Sequence, residues 1–211
     1  MRSGSTLLAH LLMGHPAVLG GGERNRAYGC REDLDRLAMI LQFERGRLLR
    51  EHSVVIDQLN HDRLIGNDAV LNAVDVDKLF LIREPVATIS SMVRISRKHY
   101  EYLDGSVERA VAYYTSRLES LRRYAEAVAD PATCFFVTYE RLVTEPRPTL
   151  DRLQGFLGLE APISEDYPIH AFTGYRGDPS RAIRAGHIVS TERPPIEELD
   201  ERTIAQLRGA Y

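Results

Sequence analysis

Arg2-Ser3-Gly4-Ser5-Thr6-Leu7-Leu8 opens the chain, and its reading decides the fold class. Small residues let the backbone come close to an anion, with hydroxyls and a guanidinium around it. Leu7, Leu8, Leu11 and Leu12 follow at helical spacing and make one apolar face, so the loop's N–H groups fall at a helix N-terminus. Such a terminus binds phosphate through its unpaired donors and the positive end of its dipole. A loop of this type normally follows a buried strand, whereas this sequence begins at the loop.

Outward from the loop, short apolar runs alternate with helical patterns. Val54-Val55-Ile56, Leu79-Phe80-Leu81-Ile82 and Cys134-Phe135-Phe136-Val137 lack polar alternation, as strands covered on both faces of a parallel sheet do. Ser106 is a predicted N-cap. From Val107 to Val128 apolar residues recur at helical spacing, and Asp130-Pro131 ends that helix. A further helix spans Leu150, Leu153, Phe156 and Leu157, with Pro148 near its start and Gly158 beyond its end. Residues 31–51 read as one or two polar surface helices, with Arg45, Arg47 and Arg50 on a solvated face. The Tyr113-Tyr114 and Phe135-Phe136 pairs read as core, Cys134 as an inert buried thiol, and everything after about residue 159 as irregular. The alternation predicts one α/β domain over residues 1–211, a doubly wound parallel sheet.

Composition narrows the function. The chain has 211 residues, enough for one sizeable core, and a formal net charge of −3, which does not suit a general nucleic-acid binder. Cys30 and Cys134 are the only cysteines, so neither a disulfide framework nor a Cys-based metal cluster is expected. No apolar run approaches the ~18 residues of a membrane span, and the cytoplasm is the default compartment.

Leu81-Ile82-Arg83-Glu84-Pro85 places an arginine at the C-terminal end of a predicted buried strand, the sheet edge where ligands of open α/β sheets bind. Pro85 suits a first helical turn, which puts Ser90 and Ser91 early in that helix. Arg83 and Ser91 can converge on one phosphate, or Arg83 can simply pair with a neighbouring carboxylate. Combined with the opening loop, two phosphate sites on one edge favour a nucleotide carrying two separate phosphates.

These stretches resemble the sulfotransferase family that uses 3′-phosphoadenosine 5′-phosphosulfate (PAPS), of bacterial and Golgi type and with the P-loop nucleoside-kinase-like fold. Arg2 through Leu8 resembles its 5′-phosphosulfate loop, and Phe80 through Pro85 with Ser91 its 3′-phosphate motif. Val137 through Leu142, with Pro146 and Phe156-Leu157-Gly158-Leu159, is similar to its late strand and helix. Gly177-Asp178-Pro179-Ser180 through Gly186 resembles its C-terminal basic loop. The resemblance implies PAPS as cosubstrate, no metal, and in-line attack by a hydroxyl or amine on sulfur. Arg2 would stabilise the leaving oxygen. Ser3, Gly4, Ser5 and Thr6 would cradle the 5′-phosphate, and Arg83 and Ser91 would grip the 3′-phosphate. Arg181, Arg184 and Gly186 would assist or be merely solvated.

Two residues compete for the general base. Glu23 follows three glycines and resembles a glutamate base of the family, whereas His61 follows a strand where other members carry a catalytic histidine. His15 reads as a cap on the first helix. Gln58 stands where many relatives have a lysine. The resemblance leaves the acceptor open, a small molecule or carbohydrate bound by residues 24–50, 95–105 and 160–176. Two rival functions are a P-loop kinase or NTPase, with Asp57 as a Walker-B-like aspartate, and a non-catalytic nucleotide-binding relative. The first lacks the G-x-x-x-x-G-K-[ST] pattern, and no lysine precedes Lys78. In this fold the strand before the loop lies inside the sheet. The expectation is therefore that the first strand is missing and is encoded upstream of Met1, the alternative being a compromised family member.

Overall fold

The computed structural model describes residues 2–46, 53–73, 75–99, 104–190 and 194–211. Arg47, Arg50 and parts of the expected acceptor segments lie outside them.

The opening loop passes directly into α1 (Ser5–Met13), followed by β1 (Val18–Leu19), α2 (Arg31–Arg45) and β2 (Val54–Val55). The second half runs β3 (Lys78–Ile82), α3 (Pro85–His99), α4 (Val107–Ala127), β4 (Cys134–Thr138), α5 (Tyr139–Thr144), α6 (Pro146–Phe156) and α7 (Glu201–Ala210). Local chemistry sets these boundaries. Glu84 caps α3 by accepting from the Ala87 N–H at 2.8 Å, with Pro85 at the first helical position. The Ser106 hydroxyl accepts from the Arg109 N–H at the start of α4, as its sequence predicts.

Both strand pairings are parallel. β1 pairs with β2 in the register Val18↔Val54 and Leu19↔Val55, and β3 with β4 from Lys78↔Cys134 to Ile82↔Thr138. Helices cover both faces. On one, Leu8, Leu11 and Leu12 of α1 and Leu150 and Leu153 of α6 pack with Leu81 and Val137. On the other, Leu37 and Leu41 of α2 and Tyr124 of α4 pack with Leu19 and Phe80. The α/β, parallel architecture is the predicted one.

Several local readings need correction. Phe136 is 60% exposed, stacked on Phe80 at 5.0 Å, so β4 is not covered on both faces. The C-terminal region is not wholly irregular. Asp200 caps α7 by accepting from the Thr203 N–H, and Leu207 packs against α3 and α4. Arg45 is not on a solvated face, because it donates to the Gly20 carbonyl at 2.8 Å and lies over the Phe172 ring. His15 is buried beyond the end of α1. It accepts from the Ala17 N–H and reaches the Ala161 carbonyl, while Gly14 occupies the cap.

Candidate active site

The loop before α1 has the geometry its composition suggests. Gly4 is the N-cap in the left-handed region, φ 90°, and a Cβ there would lie 2.4 Å from the Tyr139 ring. Only glycine meets both demands. Ser3 and Thr6 are buried, and Ser5 donates to Asn60 Oδ1 at 3.3 Å, which ties the loop to the segment after β2.

Arg83 stands at the C-terminal end of β3, as predicted. Its guanidinium lies 4.2 Å over the Tyr139 ring, and its Nε is buried with no hydrogen-bond partner among the described residues. A desolvated cationic donor without an acceptor is costly, so this group suits an anion from outside the chain. Its carbonyl is held by the Tyr114 hydroxyl at 2.8 Å and the Thr88 hydroxyl at 3.3 Å. Ser91 faces the site from α3, where its hydroxyl accepts from Arg2 Nε at 3.5 Å. Arg2 therefore spans the space between the two anion motifs.

The other guanidinium arm of Arg2 donates to Asp178 Oδ1 at 2.7 Å. Asp178 belongs to a segment lying directly on the phosphate loop. Its N–H donates to Thr6 Oγ1, and a Cβ on Gly177 would sit 2.6 Å from that same oxygen. Burial pushes the Asp178 carboxyl up, but the Arg2 charge and the donors of Arg2 and Ser180 outweigh it and hold it below the ordinary range. Arg181 and Arg184 follow in this segment and are exposed, with Arg184 alongside Gly174. Gly186 adopts φ 77° and accepts from the Tyr167 N–H.

Glu23 is drawn into this neighbourhood. Burial raises its pKa, with Asp57 and Asp178 acting in the same direction and Arg2 against them. His61 lies beyond Asn60 with its Nδ1 3.5 Å from the Tyr113 hydroxyl. Burial, with Arg63 and Arg117 adding to it, lowers its pKa and leaves the imidazole neutral near pH 7.

Four participants escaped sequence reading. Tyr139 touches both anion motifs. Asp178 engages Arg2. Tyr28 donates to Asp57 Oδ2 at 2.5 Å, while Asp57 Oδ1 accepts from the Gln58 N–H. His10 is fully buried in α1, with Nδ1 2.8 Å from the Thr6 carbonyl and Nε2 2.8 Å from Thr173 Oγ1. A carbonyl only accepts, so Nδ1 carries the proton and Nε2 accepts from the threonine. The ring thus fastens residues 170–173 to the phosphate-loop helix.

Among the described residues, no group of three or more His, Cys, Asp or Glu is arranged to hold a metal, and no helix is long and apolar enough to cross a membrane.

Residues 78–163, from β3 to beyond α6, match the model of the sulfotransferase family. A solved sulfotransferase domain from the curacin biosynthetic pathway shares the fold. Its TM-score is 0.56 at 18% identity, covering 98% of this chain and 94% of that one. No curated protein matches the sequence. The family match covers less than half of the chain and takes in the strand-end arginine but not the opening loop, and the structural match shows the shared fold.

Proposed function

We propose that this protein is a sulfotransferase that moves a sulfuryl group from PAPS to a hydroxyl or amine of a small-molecule or carbohydrate acceptor. The observation that carries this reading is Tyr139. One ring packs on Gly4 of the first anion loop and lies beneath Arg83, the second anion anchor. Two anion sites joined by one side chain suit a nucleotide with phosphates at its 5′ and 3′ positions. The unpartnered Arg83 Nε and the close-approach glycine fit such a ligand.

Ser3, Gly4, Ser5 and Thr6 would hold the 5′ end, with Arg83 and Ser91 at the 3′-phosphate. Arg181, Arg184 and Gly186 lie in the segment that covers the loop and assist there. Bound in this way, the donor supplies an activated sulfuryl group, and its transfer leaves adenosine 3′,5′-bisphosphate. A new bond forms from the acceptor atom to sulfur as the bond from sulfur to the bridging oxygen breaks, and that electron pair stays on the phosphate. Arg2 stabilises this oxygen. Glu23, or His61 in its place, takes the acceptor proton; its raised pKa makes Glu23 a stronger base than an ordinary carboxylate. Fixed donors and cations aimed at the developing charge provide most of the acceleration.

The kinase reading is weaker. Asp57, its candidate magnesium ligand, is already engaged by the Tyr28 hydroxyl and the Gln58 N–H. Calorimetric titration with adenosine 3′,5′-bisphosphate tests the proposal directly. Arg83→Ala removes a charged hydrogen bond of about 1.5–3 kcal/mol and should weaken binding roughly ten- to a hundredfold. Equal affinity in the variant removes the second anchor. Absence of sulfate transfer from labelled PAPS to any acceptor, with binding intact, leaves the non-catalytic relative.

A further inference from the structure

Three arginines from three parts of the chain close on the glycine loop that carries Glu23. Arg24 follows Glu23 directly, Arg45 ends α2, and Arg176 belongs to the segment whose Asp178 N–H donates to Thr6. Arg45 Nη2 donates to the Gly20 carbonyl at 2.8 Å, and Arg176 Nη1 reaches the Gly21 carbonyl at 3.5 Å. A Cβ on Gly21 would collide with the Arg24 guanidinium, and one on Gly22 would lie 3.0 Å from Arg176 Cβ. The glycines let cations and the late segment approach a backbone that side chains would hold off.

Carboxylates match these cations only in part. The Arg24 side chain is 8% exposed, and its two terminal nitrogens each donate to one oxygen of Glu44, a fork that shows the neighbourhood takes a carboxylate. Its Nε is buried and has no hydrogen-bond partner among the described residues. The Arg24 hydrogen bonds, with the charges of Arg24, Arg176 and Arg45, hold the Glu44 carboxyl below its ordinary range. Asp57 also lies near Arg24, but the Tyr28 hydroxyl and the Gln58 N–H already engage it. Arg176 is exposed, and among the described residues no carboxylate pairs with it. Its backbone abuts Gly22, one residue before Glu23, while Gly177 and Asp178 rest on Thr6 of the phosphate loop. A nucleophile held between Glu23 and a sulfuryl group at that loop therefore has the Arg176 guanidinium beside it. All three arginines also fall within residues 24–50 and 160–176, where the acceptor is expected.

We propose, taking the sulfotransferase reading as given, that the acceptor bears a carboxylate close to the hydroxyl or amine that receives the sulfuryl group, and that Arg176 selects it. The substrate class is then small hydroxy or amino acids, uronic acid sugars included. A planar guanidinium pairs with a carboxylate through two parallel hydrogen bonds, whereas an amide of the same shape offers one oxygen and no charge. Arg24 and Arg45 have a different part: fastened to Glu44 and to the Gly20 carbonyl, they fix the loop beneath the acceptor. Arg176, with a single long hydrogen bond, is the one whose guanidinium can turn to a ligand at little cost.

Matched acids and amides test it. Methyl glucuronoside and 4-hydroxyphenylacetate are each compared with the corresponding primary amide by calorimetric titration of the full chain, with and without adenosine 3′,5′-bisphosphate. The acid should bind roughly tenfold tighter than its amide or better, the scale of one charged hydrogen bond. That preference should collapse in Arg176→Gln and remain in part in Arg176→Lys, which keeps the charge. Acid and amide are compared on the same preparation, so a loss of folded protein affects both alike and leaves the ratio readable. Equal affinities in the parent, binding of neither member of either pair, or a preference that survives Arg176→Gln overturns the proposal. Failure of the sulfotransferase reading shows separately, as no bisphosphate binding and no labelled sulfate on either member of a pair, whatever the ratio of acid to amide affinity.

Discussion

Asp178→Asn asks whether the Arg2–Asp178 pair competes with donor binding. In this structure Arg2 gives one arm to Asp178, whereas its proposed role needs the guanidinium at the oxygen bridging phosphorus and sulfur. The carboxylate thus sits on the cation that a phosphate requires. Side-chain exposures of 27% and 25% put the pair between a surface ion pair, about 0.2–1 kcal/mol, and a charged hydrogen bond, about 1.5–3 kcal/mol. An intermediate value of ~1–2 kcal/mol must be given up when a phosphate takes the guanidinium. Asparagine keeps the shape and an oxygen to accept from the Ser180 N–H, so the segment stays on the loop while the ionic competition disappears. Adenosine 3′,5′-bisphosphate should then bind roughly five- to thirtyfold tighter by calorimetry. The unliganded variant should melt a few degrees lower at neutral pH. The carboxyl is held below its ordinary range, so its stabilisation is present above the unfolded-state carboxylate pKa and is lost as pH falls through the depressed value. The melting difference between variant and parent should therefore vanish in acid. Weaker bisphosphate binding in Asp178→Asn refutes the reasoning and makes Asp178 an orienting partner of Arg2.

Other expected outcomes follow from the same geometry. Glu23→Gln should lower turnover by ~10²–10⁴ while leaving bisphosphate affinity nearly unchanged, since general-base catalysis contributes on that scale. Because burial raises the Glu23 pKa, the parent rate should climb with pH through a midpoint above the usual carboxylate range. A midpoint below that of free imidazole that disappears in His61→Ala assigns the base to His61 instead, whose pKa is lowered. Tyr28→Phe leaves the half-buried Asp57 carboxylate short of a donor at a cost of about 1–3 kcal/mol, so thermal denaturation should shift down by several degrees. An unchanged melting temperature shows that water replaces the hydroxyl.

Much of the fold was legible because its signals are local. Apolar runs marked β3 and β4, Ser106 and Pro85 marked helix starts, and the small residues before Leu7 marked a loop running into a helix. β1 escaped because two residues carry no periodicity, and α7 because its apolar positions are few and prolines precede it. Phe136 misled because an exposed aromatic and a buried one read alike in an apolar run. In the site, Arg2 and Arg83 were legible from their positions at a loop and a strand end. Tyr139, Asp178 and His10 were not, because their roles come from contacts across the chain. Arg2 and Asp178 are 176 residues apart, and His10 and Thr173 are 163. No local pattern encodes such a pairing.

The proposed site draws on both strand pairs. Glu23 and Asp57 belong to the half built on β1 and β2, Arg83 and Tyr139 to the half built on β3 and β4. Their relative placement matters, since an error of about 1 Å in catalytic geometry costs as much as a hundredfold in rate. Among the described residues no strand pairing joins the halves, so α1 and Arg117 do much of the spacing: α1 packs against both strand pairs, and Arg117 of α4 pairs with Asp62 and donates to the Leu59 carbonyl at 2.7 Å. Helix packing and one buried guanidinium are softer restraints on register than a hydrogen-bonded ladder. Loss of the Arg117 contacts should therefore act on the rate constant for transfer more than on bisphosphate affinity. Arg2 and Ser91 already meet, whereas a base on the other half must be brought to the acceptor.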